Sequence, residues 1–580
     1  MKNKFLLTFT FLVSSFSLFA QTYITNVTVV DVEKQKLVSN QTIEITNNLI
    51  SNIRKSTKIK LPKNATIIDG TGKYIAPGLV DAHIHFFQNG GLYTRPDAID
   101  LRKYVSYTEE IALAKSDMEN KLKRYLKNGI TTLIDVGATY NFLEQRKDFV
   151  DKDFAPEIFI TGPLLTTYES EVYKNLKHDE PFTLTESIED GINGVKDQLK
   201  YKPDFIKIWY IAGRDGLSIE ESALKNLPIV KAVIDEAHKN NLKVAVHATQ
   251  EITAKLAVEN GADFLVHSVK DKILSKDFIQ LLKKNKTILS PTLQVSGGYG
   301  KTFGQRLQFS NNELLTANPY QLGSLLDLKH LSDTLLVNNY KTRLNKPNRI
   351  ANLKKADSIC SVNLKTLSDA GVLIATGTDA GNIGTLHVSS YIKELELMQK
   401  SGMSNWQILE ASTINGAKIF DKENEFGSVS IGKKANLILL NKNPIKDINN
   451  LTDIHTIINK GVVYNPNDLL KDTPRDLAQR QLNAYNLRNI EAFLEPYADD
   501  VEVYTFPNTL NYKGKENMRK RYAKMFENVT NLHCELTERI VKGNVVIDKE
   551  VVQFNDITKE AIAIYRIENN KIKKVYFVRE

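Results

Sequence analysis

The sequence predicts an α/β protein whose main body is a series of parallel βαβ units, followed by a separate α+β segment. Three observations predict this. Short apolar runs of strand length end in polar residues with ligand chemistry, as in Gly78-Leu79-Val80-Asp81-Ala82-His83-Ile84-His85-Phe86. Helix-period stretches such as 220–240 and 250–260 lie between such runs, and strands alternating with helices argue for parallel units. From about residue 472 the pattern changes to one amphipathic helix, Leu477 to Tyr497, and then several strands in succession, as in an α+β unit.

Taken in order, residues 1–20 read as a signal peptide. Lys2 and Lys4 form a positive start, Phe5 to Phe19 an apolar run, and Ala20 precedes a plausible cut. The expected destination is export, to the periplasm or outside the cell, with no stable membrane anchor. Residues 22–75 alternate apolar and polar, with Asn47-Asn48 suited to a tight hairpin. Residues 428–465 look similar, with a turn at Asn459-Lys460-Gly461. Between them the expected strands are 78–86, 129–137, 157–163, 204–210, 242–248, 264–269, 287–294 and 372–379. The stretches 87–107 and 299–350 are long connections of the kind that shape substrate access.

On a strand, residues i and i+2 point to one side, so His83 and His85 project together. Neutral imidazole is the commonest metal ligand, and such a pair can grip one ion or remain a satisfied polar pair. Lys207, His247, His267 and Asp379 lie in or end four further apolar runs. In a (β/α)8 barrel all strand C-terminal ends open onto one face, where these residues would converge.

Composition narrows the partners. The chain has 580 residues, room for several domains, and a net charge of +9 spread along its length. Scattered charge argues against nucleic acid. The two cysteines, Cys360 and Cys534, fall in different proposed domains, so a disulfide is not expected.

The run Tyr74 to His85, the turn Gly377-Thr378-Asp379-Ala380-Gly381 and the tail Gly427 to Leu440 resemble the amidohydrolase superfamily, over roughly residues 22–465. The tail departs from the family at Asn436, where Asp is usual. The resemblance implies a (β/α)8 barrel over 76–427 and a composite β-sandwich from 22–75 and 428–465. It also implies two divalent metal ions, with zinc the expected identity. His83, His85 and Asp379 would hold one, and His247 and His267 the other. An ammonium has no lone pair, so a bridging Lys207 would carry carbon dioxide as a carbamate; a lysine merely paired with a carboxylate is the alternative. Two metals sharing a water lower its pKa from 15.7 towards about 7, and Asp379 would pass its proton to the leaving group.

Residues 472–580 resemble the nuclear transport factor 2-like, SnoaL-like cone, on Ala484-Tyr485-Asn486, Tyr497 to Val501 and Gly514-Lys515-Glu516. This segment is expected to hold its own core and to serve dimerisation or substrate capping. Four residues have two readings each. His387 touches substrate or packs, His178 polarises a carbonyl or is exposed, and Tyr210 bonds substrate or packs beside Trp209. Asp135 supports the first-strand histidines or makes a structural hydrogen bond.

The expected activity is hydrolysis of an amide, peptide or related C–N bond by a metal-bridged hydroxide, on a small molecule or short peptide, in a homodimer. A lactonase or esterase uses the same centre. A deaminase ranks below both, because family deaminases usually keep one metal and no bridging lysine. A non-catalytic binding protein ranks last.

Overall fold

The computed structural model describes residues 21–57, 59 and 61–578; the expected signal peptide, 1–20, lies outside them. Seven barrel strands form in order: β1 (Leu79–Ile84), β2 (Ile130–Asp135), β3 (Glu157–Ile160), β4 (Phe205–Trp209), β5 (Lys243–His247), β6 (Phe264–Val266) and β7 (Ile288–Ser290). All neighbouring pairs recorded among them are parallel. Short strands Leu164–Thr166 and Phe182–Leu184 extend the wall beyond β3, and Leu164–Thr166 pairs with β4.

The eighth expected strand, 372–379, does not form a ladder. It makes only isolated bridges, Leu289 with Ile374 and Ile84 with Ala380. It still closes the barrel through backbone bonds on both sides, Ala375 N to Leu289 O at 2.9 Å and Ala82 N to Thr376 O at 2.7 Å. Gly377 explains the tight closure, since a Cβ there would sit 2.2 Å from Ser290 Oγ and 2.6 Å from His83 Cβ.

Val80, Ala82, Phe205, Ala245, Phe264, Ile288 and Ala375 fill the barrel interior, while Ile84, Ile206, Ile208, Val244 and Val246 pack outward against the helices. The helix Ile219–Lys239 shows why that outer layer forms. Ser218 caps it, Glu221 returns the bond, and Val230, Val233, Ile234 and Ala237 make one buried face.

The segments flanking the barrel join in one eight-stranded sheet. Tyr74–Pro77 pairs antiparallel with Leu437–Leu440, and Gln21–Asp31 pairs with Lys36–Thr46. Ile24, Ile43, Ile45, Leu437, Leu439 and Ile458 share its core. Both expected turns are present, with Asn47 and Lys460 in the left-handed region.

The C-terminal sheet runs Thr509–Lys513, Tyr497–Thr505, Lys571–Val578, Ile557–Glu568, Val545–Phe554, Leu532–Lys542. The expected single helix from Leu477 to Tyr497 is broken. It is Pro474–Asn486 followed by Ile490–Leu494, because Arg488 takes a φ of 56° and Asn489 caps the second piece. The stretch 299–350 is largely helical, and its Leu314, Leu322, Leu325, Leu328 and Leu344 share one buried cluster with Leu477, Phe493, Tyr497 and Val575. Polar contacts seal this junction: Arg480 Nη1 donates to Leu314 O at 2.8 Å, Asn483 Nδ2 to Pro319 O at 2.6 Å and Tyr320 Oη to Asp476 at 2.8 Å.

Cys360 and Cys534 are both free thiols. Among the described residues no helix is long and apolar enough to cross a membrane.

Candidate metal centre

His83 and His85 face the barrel interior for a reason more local than period two. Val80 and Ala82 already point inward, so strict alternation would send His83 outward. A register shift between Asp81 and Ile84 changes the phase of β1, as a bulge does next to many sites. Ile84 then packs outward, and both histidines turn to the interior. On β4 and β5 no phase change is needed: Phe205 and Ala245 point inward, so Lys207 and His247, two residues on, do too.

His83 Nε2 and His85 Nε2 each lie 3.2 Å from Asp379 Oδ1. These three residues form a ligand-competent group, with one donor atom from each within 4.8 Å of the others. The ring of His267 lies 4.8 Å from that of His83 and 4.3 Å from that of His247. Its Nδ1 is 3.8 Å from Asp379 Oδ2. His267 and Asp379 both hold left-handed backbone, with φ of 76° and 59°, the kind of strain that collects at functional sites. Lys207, 1% exposed, belongs to the same cluster; its charge is felt by His83, His247 and His267.

The donors fit a divalent metal ion. Both ring nitrogens of the fully buried His83 lack a hydrogen bond; the Asp379 contact is close but not aligned as one. Such orphaned buried nitrogens are costly unless something else binds them. His85 is oriented from behind, since its Nδ1 donates to Gly137 O at 2.8 Å and turns Nε2 towards Asp379 Oδ1. His267 Nδ1 is held by Thr292 Oγ1 at 2.7 Å.

Protonation favours the same reading. Burial pushes His83 down to about 4, and holds His247 and His267 well below the usual imidazole range, so all three are neutral at pH 7. Burial acts to raise the Asp379 carboxyl, but His83, His85 and His267 beside it hold it well below the usual carboxylate range. Burial pushes the Lys207 ammonium down to about 7, with Asp379 opposing.

Several supporting residues carry no spacing signal in the sequence. Asn382 Nδ2 donates to Asp379 Oδ1 at 2.6 Å, while its Oδ1 accepts from Arg95 Nη1 and Tyr299 Oη, both at 2.7 Å. Arginine can only donate, so the amide orientation is fixed and Asn382 must donate to Asp379. Asp81 accepts from Thr378 N at 3.0 Å and Thr378 Oγ1 at 2.8 Å, tying β1 to the Asp379 turn. A carboxylate inside the apolar run of β1 is a legible clue to Asp81. Asp135, pushed up to about 7 by burial, accepts from Phe86 N at 3.0 Å and sits 3.8 Å from His85 Nδ1.

Each of the three substrate candidates has a protein partner. His178 is exposed, with Nδ1 3.2 Å from Tyr201 Oη. The Tyr210 hydroxyl donates to Ala223 O at 2.5 Å, on the helix side of β4. His387 has no free nitrogen: Nδ1 meets Tyr125 Oη and Nε2 meets Gln88 O, each at 2.8 Å.

Comparison with known proteins agrees with the fold. The amidohydrolase family matches residues 74–464, and the SnoaL-like domain matches residues 478–575. A 5-methylthioadenosine/S-adenosylhomocysteine deaminase from Carboxydothermus hydrogenoformans is 25% identical over 472 residues, covering 76% of this chain and 92% of its own. An imidazolonepropionase from Fusobacterium nucleatum is 22% identical over 64% of this chain and 77% of its own. Among solved structures, a Xaa-Pro dipeptidase with bound methionine superposes at a TM-score of 0.56 and 22% identity, covering 77% of this chain and 100% of its own. Ochratoxinase from A. niger superposes at 0.57 with 16% identity, covering 77% and 96%. With the family model spanning both the β1 histidines and the Asp379 turn, the chain belongs to the amidohydrolase family.

Proposed function

We propose that this protein is an exported metal-dependent hydrolase that cleaves an amide, peptide or related C–N bond. The observation that carries the reading is Lys207, buried inside the barrel among His83, His247, His267 and Asp379. An amine near pH 7 is substantially unprotonated at neutral pH, and only the free amine combines with carbon dioxide. The carbamate that results is an anion with two oxygens, suited to hold two cations at once. Divalent metal bound here supplies Lewis-acid activation of water and of the scissile carbonyl.

The chain's own residues do the rest. His83, His85 and Asp379 make one half of the donor set, and His247 and His267 the other. Asp379 takes a proton at its carboxylate and delivers it to the leaving nitrogen. Asn382 holds that carboxylate in position by donating to Oδ1, the oxygen that His83 and His85 also face.

Deaminase chemistry is the second reading, favoured by the 25% identical relative. Lys207 counts against it. The test is a panel assay of metal-loaded protein on dipeptides and N-acyl amino acids, on lactones, and on adenine nucleosides. Amine release from the first group supports the proposal. Ammonia release from a nucleoside, with no turnover of the first group, replaces it with the deaminase reading.

A further inference from the structure

We propose that the cleft between the mouth insertion of the barrel and the C-terminal cone binds an aliphatic carboxylate, with Lys329, Arg488 and His533 holding the anion and leucines holding the tail. The cleft has a volume of about 320 Å³, within the span of small-ligand sites. Leu307, Leu325, Leu326, Leu328, Leu487 and Leu532 line it. The charged side chains on its walls are all cationic: among the described residues lining it there is no carboxylate.

His533 supplies the observation that points to a ligand. Its side chain is 8% exposed, and its Nδ1 is buried without a hydrogen-bond partner. Its ring stacks on His330 at 3.3 Å and 9°. Burial pushes His533 down to about 3 and His330 down to about 4, with Lys329 repelling both and His330 repelling His533. Both are therefore neutral at pH 7, so the stack carries no like-charge repulsion. Neutral His533 can donate from Nδ1 to an anion once its ring turns out of the buried position. Lys329 stands exposed at the rim of the cleft, and the charges that bear on it, Arg488 and Lys341, are also cations. Arg488 spends Nη2 on Thr530 O at 2.5 Å and keeps further donors. A pair of cations with no carboxylate beside them, next to a leucine wall, suits both halves of an amphiphilic anion. Inorganic phosphate uses only the first half, and a neutral alcohol only the second.

The site spans both domains. Leu325 and Leu326 belong to the helix Pro319–Asp327, whose Ser324 Oγ accepts from Leu92 N in the mouth loop at 3.0 Å. Arg488, Leu532 and His533 come from the cone. A ligand here binds only the docked pair and so stabilises it. The inference does not depend on the hydrolase reading.

The test is calorimetric titration of the full-length protein at pH 7 with sodium octanoate, sodium phosphate and 1-octanol. Octanoate should bind saturably and at least about tenfold more tightly than either control. The double variant Lys329→Gln/Arg488→Gln should lose at least about tenfold in octanoate affinity, with metal content unchanged. Leu326→Trp, which fills the cleft, should lose binding as well, and its melting temperature shows whether it folds. No saturable octanoate binding up to about 10 mM overturns the proposal. So does phosphate binding as well as octanoate, or octanoate affinity that both variants leave intact.

Discussion

His83 brings two buried ring nitrogens and no hydrogen bond to the interior of the barrel. His83→Ala should therefore lower metal content, read by elemental analysis, and reduce turnover to background. Wild-type metal content in that variant would remove His83 from the donor set. Asp379→Asn keeps the shape of the side chain but loses the base and an anionic ligand. We expect turnover to fall by at least about a hundredfold, within the range of general-base contributions. A rate near wild type would move proton transfer to another group. Lys207→Ala should lose activity and regain part of it with added formate or acetate, which restore a bridging carboxylate. Failure of every short carboxylate to rescue a folded variant would leave Lys207 as a paired lysine.

At the level of elements, the strand ends carry most of the site in the sequence itself. His83, His85, His247, His267 and Asp379 are legible because each closes an apolar run, and a parallel barrel gathers such ends on one face. The phase change in β1 is not legible, since period two gives the same relation between His83 and His85 whichever way the pair points. Nor is the Arg95, Tyr299 and Asn382 chain behind Asp379, which joins residues from three distant segments. The helix Ser389–Lys400 adds another hidden group. Its Glu394 is fully buried and accepts from Leu293 N at 2.7 Å and Gln294 N at 3.2 Å, just beyond β7. Burial outweighs those bonds and pushes it from 4.5 up to about 8. The fold thus favours its protonated form. That contribution is present in full below pH 4.5 and is lost as the pH rises through about 8. The difference amounts to at most about 5 kcal/mol. Glu394→Gln should flatten the decline in denaturant stability between pH 5 and 8. An identical decline in the variant would assign it to other buried carboxyls, such as Asp81 or Glu550.

Across the whole molecule, the C-terminal cone and the mouth insertion share one apolar cluster. The sequence pattern shows a helix and strands after residue 472 but not which surface they cover, because that depends on contacts between segments more than a hundred residues apart. Removal of residues 472–580 uncovers Leu314, Leu322 and Leu325 beside the barrel mouth. Scanning calorimetry should show the full chain melting in one cooperative transition, and the truncated chain at a lower temperature. Two separate transitions in the full chain would show that the domains are energetically independent. The central claim is a two-metal centre with Lys207 between its halves, and metal stoichiometry tests it most directly. Full-length protein loaded with zinc and desalted should retain two ions per chain, and Lys207→Ala at most one. One ion per chain in the wild type, unchanged in Lys207→Ala, would contradict the account and favour single-metal chemistry.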